Sequence, residues 1–505
     1  MDPSLARRAV AAALGAGFIA ELLFDRVAIG INVPIATFGT LLLVTLLGRR
    51  RPADPLDWWL PGVALAASIG PALRMDPTVV ALDLWLVAIA VAAWSFAVSG
   101  VAVSRRAARA VAVMGIQAGI AVMTGFAWLL TRVGADGAFA RGTRQLGRAA
   151  PILRGALIAV PILFGFALLL GSADAVFGRA LDEALRLPDL DDLVGRGAFT
   201  IAAAVLIAGP IVIAAGAQGF LDPIAAPMST AGAGAAAGSS AGAVPARRVG
   251  ATEAVVVLVA VDALFAAFAA VQVLYLFGGA DTLAAIGMTY SDYARQGYFQ
   301  LVGVVALAGL LLIGAHEIAG RRRDMLAAGL VLLVLTGVIL ASAALRLRLY
   351  QDAYGWTELR FYVAASIAWL AVAVAIALAL LAANRMRWIA HGLAGGALVI
   401  TLAVSAIGPQ AFVMDQNLAR AIDRSLVPPD GSSGFDVDYG LTLGDDAIPA
   451  LVAALDALPP YERSVALEAL RRRAQVGVEP GEAAWLAWNL SRIRAREALA
   501  NLPPR

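Results

Sequence analysis

Residues 325–345 read MLAAGLVLLVLTGVILASAAL, and residues 359–383 read LRFYVAASIAWLAVAVAIALALLAA. Each run is almost free of charge and reaches the length of about 20 residues that an α-helix needs to cross the hydrocarbon core of a bilayer. Only residues 346–358 separate the two runs. Together they predict a helical hairpin that crosses a membrane twice.

Comparable apolar runs recur along the rest of the chain, which is 61% hydrophobic and 15% charged. Soluble proteins average roughly 45–50% apolar and about 25% charged residues. The sequence therefore predicts an all-α, polytopic transmembrane helix bundle of about 11–12 spans. The candidate runs are 9–24, 32–47, 57–73, 78–101, 108–130, 151–171, 198–219, 251–277, 298–317, 325–345, 359–383 and 388–408.

Changes in composition divide the chain into four parts. The division predicts an N-terminal membrane half, a disordered Ala/Gly/Ser/Pro linker, a C-terminal membrane half and a small helical region that faces water. Their ranges are 1–221, 222–248, 249–409 and 410–505. Within the last part, residues 410–444 are polar and turn-rich. Amphipathic helical patterns follow at 446–457, 460–474 and 481–499.

The distribution of arginine predicts the orientation in the membrane. Arginines cluster at 247–248, 321–323 and 385–387, which alternation of the spans places on one face. The positive-inside rule makes that face cytoplasmic, so the loops that carry the motifs described below, and the C-terminal region, are expected outside the cytoplasm. Arginines also flank 108–130 on both sides. That pattern favours a re-entrant or interfacial helix there over the export of one arginine cluster, which gives about eleven true spans.

Several classes of chemistry are not supported by the sequence. It has no cysteine and only two histidines, so we expect neither disulfides nor a metal site, and no cofactor. The basic residues lie in short clusters that flank apolar runs, so no nucleic-acid partner is expected. No nucleotide-binding glycine loop, nucleophile elbow or metalloprotease helix is present, which argues against an enzyme without excluding one.

Polar residues within or next to apolar runs form the candidate functional cluster. Asp262 lies near the middle of a run, where an ionised carboxylate is costly. An ion- or proton-coupled role and a structural hydrogen-bonded carboxyl are both open for it. Asp174 stands where another run meets water, as a functional acid or a simple helix terminus. The cluster comprises Asp174, Asp262, Gln272, Tyr293, Arg295, Arg346, Arg348, Tyr350, Tyr354, Glu358 and Arg360.

Aromatic and charged residues alternate in two loops of this cluster. Tyr293 and Arg295 belong to a loop that suits either an interfacial aromatic belt or a cleft for a polar headgroup or sugar. In the hairpin loop, Glu358 is expected to pair with Arg346 or Arg295. Such a pair serves either a functional site or a structural ion-pair network that holds the hairpin shut.

Ordered motifs across residues 150–500 resemble a family of uncharacterised bacterial multipass membrane proteins known as a domain of unknown function. The resemblance rests on Phe265 with QVLYLFGG at 272–279, YAR at 293–295 with Gly297 and Phe299, RLRLY at 346–350 with Tyr354, Gly355, Thr357 and Arg360, Asn417, DY at 438–439, DAIPAL at 446–451 and WNLS at 488–491. It implies a plasma-membrane location and supplies no activity. Gln300 stands where that family is expected to carry an acid, so no carboxylate role is assigned there.

These observations leave three functional hypotheses. The leading one is a transporter-like protein that handles a small solute or a lipid, because most chains with this many spans do so. The second is a non-catalytic scaffold or sensor whose C-terminal helices bind a protein partner. The third is an envelope-facing transferase that acts on a lipid-linked or envelope precursor. All three place the chain in a lipid bilayer.

Overall fold

A computed structural model describes residues 3–48, 51–106, 108–134, 191–216, 251–277, 298–320, 322–428, 431–432, 434–476 and 480–503. Every element in these ranges is an α-helix or a short 3-10 helix, which confirms the predicted all-α class. The predicted run 151–171 and the predicted linker 222–248 lie outside the described residues.

The described α-helices are numbered here in chain order. They are α1 (Pro3–Phe24), α2 (Asn32–Leu47), α3 (Trp59–Leu73), α4 (Pro77–Val98), α5 (Ala108–Gly134), α6 (Asp191–Ala214), α7 (Ala251–Phe277), α8 (Tyr298–Ala319), α9 (Arg323–Tyr354), α10 (Glu358–Ala382), α11 (Ile389–Ile407), α12 (Pro409–Ile422), α13 (Val437–Thr442), α14 (Ile448–Ala454), α15 (Pro460–Gln475), α16 (Pro480–Ala483) and α17 (Leu490–Ala500).

The chain forms two compact units. Unit 1 comprises Met1–Leu73, Val80–Ser239 and Val478–Asn489, and unit 2 comprises Arg74–Val79, Ser240–Gly477 and Leu490–Arg505. Unit 2 therefore contains helices of the predicted C-terminal membrane half and most of the predicted C-terminal region. The four-part division drawn from composition stays a prediction.

Small residues let the helices of unit 1 approach closely. The buried stripe of α6 consists largely of alanines such as Ala204 and Ala208, which pack with Ala9 and Ala13 of α1. A Cβ atom added to Gly209 of α6 would lie 2.7 Å from the backbone of α5. Helices in lipid associate through such close packing, because burial from water does not drive their contact there.

The described helix α5 is continuous over 27 residues, a length of about 40 Å. Only its segment Val113–Phe126 is apolar enough to count among the shorter apolar helices. The re-entrant or interfacial placement of 108–130 stays a prediction.

Unit 2 is built around the predicted hairpin. Its two runs form α9 and α10, and α11 follows antiparallel to α10. Arg322 donates to Thr252 Oγ1 at 3.4 Å, so the N-termini of α7 and α9 lie at the same level and the two helices run parallel. Leu258 of α7, Leu312 of α8 and Leu332 of α9 lie in one buried core.

Five described helices are long and apolar enough to cross a membrane by length and composition. They are Pro77–Val98, Gly195–Ala214, Arg323–Tyr354, Glu358–Ala382 and Met386–Ile407. Shorter apolar helices occur at Asn32–Leu47, Val113–Phe126, Ala254–Ala267 and Leu307–His316. The chain is a helical membrane protein.

The C-terminal region differs from its predicted pattern in two places. The stretch 410–444, predicted to be turn-rich, begins with the 14-residue helix α12, which starts after the left-handed Gly408 with Pro409 in its first turn. The helical pattern predicted at 481–499 does not form one continuous helix. It is interrupted between α16 and α17 because the Trp488 carbonyl accepts from Ile31 N–H at 3.0 Å instead of continuing a helix.

Candidate functional site

The turn between α9 and α10 is the centre of the candidate site in unit 2. α9 ends at Tyr354 and is followed by Gly355, whose φ of 75° is a left-handed conformation that favours glycine. α10 then begins after Thr357, whose Oγ1 accepts from Arg360 N–H at 3.3 Å. The local sequence therefore defines a tight hairpin.

Arg360 closes this turn from the side of α10. Its guanidinium donates to the Tyr354 carbonyl at 3.0 Å and to the Gly355 carbonyl at 2.5 Å. It also lies over the ring of Tyr350, 4.1 Å from the ring centroid. A cation at the C-terminal end of a helix interacts favourably with the helix dipole, so Arg360 stabilises the end of α9.

Two side chains of α12 clamp the same turn. Asn417 accepts from Trp356 N–H and donates to the Trp356 carbonyl, each at 2.8 Å. The buried Arg420 donates to the carbonyls of Asp352, Ala353 (3.3 Å) and Ser432 (3.0 Å). Burial lowers the pKa of the Arg420 guanidinium. The carbonyls of Asp352 and Ala353 belong to the last turn of α9, where a helix offers its carbonyls no partner of its own, and Arg420 provides the missing donor.

The first turn of α10 carries further buried polar contacts. Glu358 accepts from Gln410 Nε2 at 2.9 Å, and its backbone N–H donates to Tyr439 Oη at 2.8 Å. One turn later, Tyr362 donates to Asp76 at 2.9 Å. Burial raises the pKa of the Tyr439 hydroxyl above its ordinary value. Three separate chain segments thus meet at the N-terminus of α10.

Asp446 organises the neighbouring group of contacts in unit 2. Its buried carboxylate accepts from Met75 N–H at 2.8 Å and from Ser491 Oγ at 2.5 Å. Arg74 lies 3.7 Å from it and donates to the carbonyls of Ser405 (3.2 Å) and Ala406 (2.6 Å). Arg74 therefore joins Asp446 to the C-terminal end of α11.

Asp262 lies apart from these groups, near the middle of α7. Only 7% of its surface is exposed, and it continues a buried stripe with Leu258 and Phe265. Among the described residues, its Oδ1 has no hydrogen-bond partner. A buried carboxylate oxygen without a partner is unusual, since buried polar atoms are generally hydrogen-bonded.

The described part of the predicted cluster falls into two groups. Tyr350, Tyr354, Glu358 and Arg360 surround the α9–α10 turn, and Arg348 lies one turn before it, 4.0 Å from Asp352. Arg346 lies on the same last turns of α9, and Asp262 lies far along α7. The Gln272 backbone belongs to α7. Asp174, Tyr293 and Arg295 lie outside the described residues.

The sequence predicted Arg346 or Arg295 as the partner of Glu358, and the partners seen are Gln410 and Tyr439. The role of Arg74, Asp76, Gln410, Asn417, Arg420, Tyr439 and Asp446 in the site was not predicted. A signal was available for three of these, because Asn417, Tyr439 and Asp446 lie in the motifs that carry the family resemblance.

Comparison with known families gives a match over most of the chain. Residues 62–454 match the family described as Domain of unknown function (DUF4153), which is more than half of the 505-residue chain. The chain belongs to this family. The predicted resemblance is thereby confirmed. No curated protein and no solved structure matches the chain.

The DUF4153 match includes both the α9–α10 turn and its clamp from α12. Nearly every polar group described at the turn is paired within the protein, which is typical of a structural lock. Asp262, whose Oδ1 has no hydrogen-bond partner among the described residues, lies away from this turn, in the shorter apolar segment Ala254–Ala267.

Proposed function

We propose that this DUF4153 protein is transporter-like and moves a small solute or a lipid with the help of Asp262. In this proposal the Asp262 carboxylate binds and releases a proton or another cation during the transport cycle. The observation that carries the proposal is the buried Oδ1 of Asp262, which lacks a hydrogen-bond partner among the described residues. Ionisable residues inside membrane helices commonly belong to ion and substrate pathways.

The depth of Asp262 supports this role. It lies 11 residues after Ala251, or about 16 Å along α7, in a hydrocarbon core of about 30 Å. The contact between Arg322 and Thr252 sets the register of α7 against α9. Counting from it, Asp262 lies level with Leu332, which is fully buried and apolar. A charge at this depth needs a partner or a bound cation.

The proposal can be tested by reconstituting the full chain in proteoliposomes that contain a pH-sensitive dye. A panel of solutes, including amino acids, sugars and inorganic cations, is added outside while the internal pH is recorded. We expect at least one solute to drive a proton flux with the unaltered protein. Asp262→Asn should abolish that flux, because the amide cannot exchange a proton, and Asp262→Glu should retain part of it.

The control for loss of a carboxylate is Asp415→Asn, since Asp415 lies exposed on α12, outside the apolar helices. It should transport like the unaltered protein. Infrared spectroscopy gives a readout that needs no substrate: the band of the protonated Asp262 carboxyl should disappear in Asp262→Asn and persist in Asp415→Asn. A flux of full size in a folded Asp262→Asn protein would show that transport does not use this carboxylate.

We further propose that the chain lies in a bacterial plasma membrane with the α9–α10 turn and the C-terminal region outside the cytoplasm. Support comes from Arg322, Arg385 and Arg387, which lie at the opposite ends of these helices from the turn. Because the chain has no cysteine, single cysteines can be labelled without background. In intact cells, an impermeant thiol reagent should label Ser432→Cys and not Arg385→Cys. The reverse pattern would invert the orientation.

The exposed surface of the C-terminal region supports a second candidate, a scaffold or sensor. Tyr461 in the first turn of α15 and Val476 directly after its last residue are 77% and 73% exposed. A protein partner could cover them. Under this hypothesis, Tyr461→Ser abolishes the cellular activity while Asp262→Asn leaves it intact, which is the opposite of the result expected for transport.

A further inference from the structure

An apolar groove runs between α9 and α10 on the surface of unit 2. It has a volume of about 340 Å³ and is lined by apolar and glycine residues alone. Small residues form much of its lining, including Gly337, Ala341 and Ala344 of α9 and Ala371 and Ala375 of α10. The four alanines are exposed. Both helices that form the groove, α9 and α10, are among the five that are apolar and long enough to cross a membrane.

The α9 side of the groove leads to an arginine. Gly337, Ala341, Ala344 and Arg348 are spaced by four, three and four residues, so they share one face of the helix. Arg348 follows Ala344 by about 6 Å along the axis, beyond the end of the groove. Its side chain is 78% exposed. A cation thus lies beyond one end of the apolar groove, at the end of α9 that leads to the hairpin turn.

The arginine at the adjacent end of α10, Arg360, already has partners within the protein. Arg360 donates to two carbonyls of the turn and lies over the Tyr350 ring. Arg348 has Asp352 as an acidic neighbour, at 4.0 Å and with both side chains largely exposed. An exposed ion pair of this kind contributes little and is readily exchanged for another anion. Arg348 is therefore the group that can reach a ligand.

We infer that the groove binds an anionic phospholipid, with one acyl chain between α9 and α10 and the phosphate on Arg348. The groove supplies the apolar surface, and the arginine supplies a donor suited to a phosphate. The positive charge of Arg348 at the end of the groove favours an anionic lipid over a zwitterionic one. This inference does not depend on Asp262, so either proposal can fail without the other.

The test uses the full chain in vesicles, with one introduced cysteine carrying a bimane fluorophore. Ala344→Cys reports from the groove, and Val399→Cys reports from an exposed position on α11 that is not among the groove residues. Brominated phosphatidylglycerol or brominated phosphatidylcholine is added in increasing proportion as quencher. We expect phosphatidylglycerol to quench the groove label at about five-fold lower proportion, the effect of roughly one arginine on an anionic lipid. The Val399→Cys label should show no preference.

Four variants separate the parts of the inference. Arg348→Gln should remove the preference for phosphatidylglycerol, and Arg348→Lys should keep most of it. Asp352→Asn should strengthen the preference, because it removes the competing carboxylate. Gly337→Leu should reduce quenching by both lipids at the groove label. A Cβ added at Gly337 meets nothing within 4 Å, so the leucine side chain has open space to occupy rather than a clash.

The outcomes are decisive in both directions. Equal quenching by the two lipids in the otherwise unaltered chain, or a preference that survives Arg348→Gln, would overturn the role of the arginine. A preference that survives Gly337→Leu with undiminished quenching would mean that the lipid is held at the surface and not in the groove, which would overturn the acyl-chain site. Thermal unfolding of each variant confirms that it is folded.

Discussion

The two hydrogen bonds between Asn417 and Trp356 allow a quantitative prediction about the hairpin turn. They pair both backbone groups of Trp356, each at 2.8 Å. An intramolecular hydrogen bond contributes roughly 0.5–1.5 kcal/mol net, so the loss of two costs about 2 kcal/mol. We expect Asn417→Ala to lower the free energy of opening the turn by this amount, a roughly 30-fold change in the opening equilibrium.

Hydrogen exchange of the Trp356 amide measures this opening directly. In detergent-solubilised protein followed by mass spectrometry, the amide should exchange about 30-fold faster in Asn417→Ala. Asn417→Asp keeps an acceptor for the amide and should protect it better than alanine does. The control is Asn501→Ala, which removes an exposed side chain whose Nδ2 donates to the Glu497 carbonyl.

The reasoning would be refuted by a Trp356 amide that exchanges in Asn417→Ala within about three-fold of its original rate. Such a result would mean that the surrounding contacts hold the turn without Asn417. Equal acceleration by Asn501→Ala would likewise show that the effect is not local to the clamp.

Three further predictions concern stability. Gly209→Ala should lower the free energy of unfolding by about 1–3 kcal/mol, since its Cβ would approach the backbone of Val122 to 2.7 Å. Gly197→Ala, on the same helix in open space, should not lower it, as thermal unfolding in detergent can establish. Asp446→Asn should cost about 3 kcal/mol in urea unfolding followed by tryptophan fluorescence, because the amide presents a donor where three donors converge; an unchanged midpoint would contradict this. The pKa of Tyr439 is raised above its ordinary value of 10.0, so the unfolded chain loses this proton first as pH rises. The stability that the group contributes is therefore complete below pH 10.0 and is lost above it. Thermal unfolding between neutral pH and pH 11 should show a smaller loss in Tyr439→Phe.

The membrane helices were predictable because each must be long and apolar enough by itself to cross lipid. The run 325–345 became part of α9 and the run 359–383 became α10, since length and apolarity alone decide whether a segment can cross lipid. The helix α12 was not predicted. Its sequence is polar enough to look like a loop, and its buried residues become apparent only once they pack on the core of unit 2.

The site was predictable only where a signal is local. Tyr350, Tyr354 and Arg360 lie within 11 residues of one another, and they meet at the hairpin turn. The partners of Glu358 lie 52 and 81 residues away, so no pattern in one sequence could identify them. For Asp262, the sequence indicated a carboxylate near the middle of an apolar run, and in the structure 7% of its surface is exposed.

The contacts of Arg74 have a consequence for biogenesis. Arg74 caps the carbonyls of Ser405 and Ala406, which follow it by 331 and 332 residues. At about 5–20 residues per second, the ribosome needs roughly 15 to 70 seconds to synthesise the chain between them. During that interval these two carbonyls do not yet exist, so the contact that joins Asp446 through Arg74 to the end of α11 cannot form. A chain interrupted before α11 is complete therefore lacks the cap that Arg74 places on the end of this helix, and the C-terminal end of α11 is secured only once the two distant segments have met.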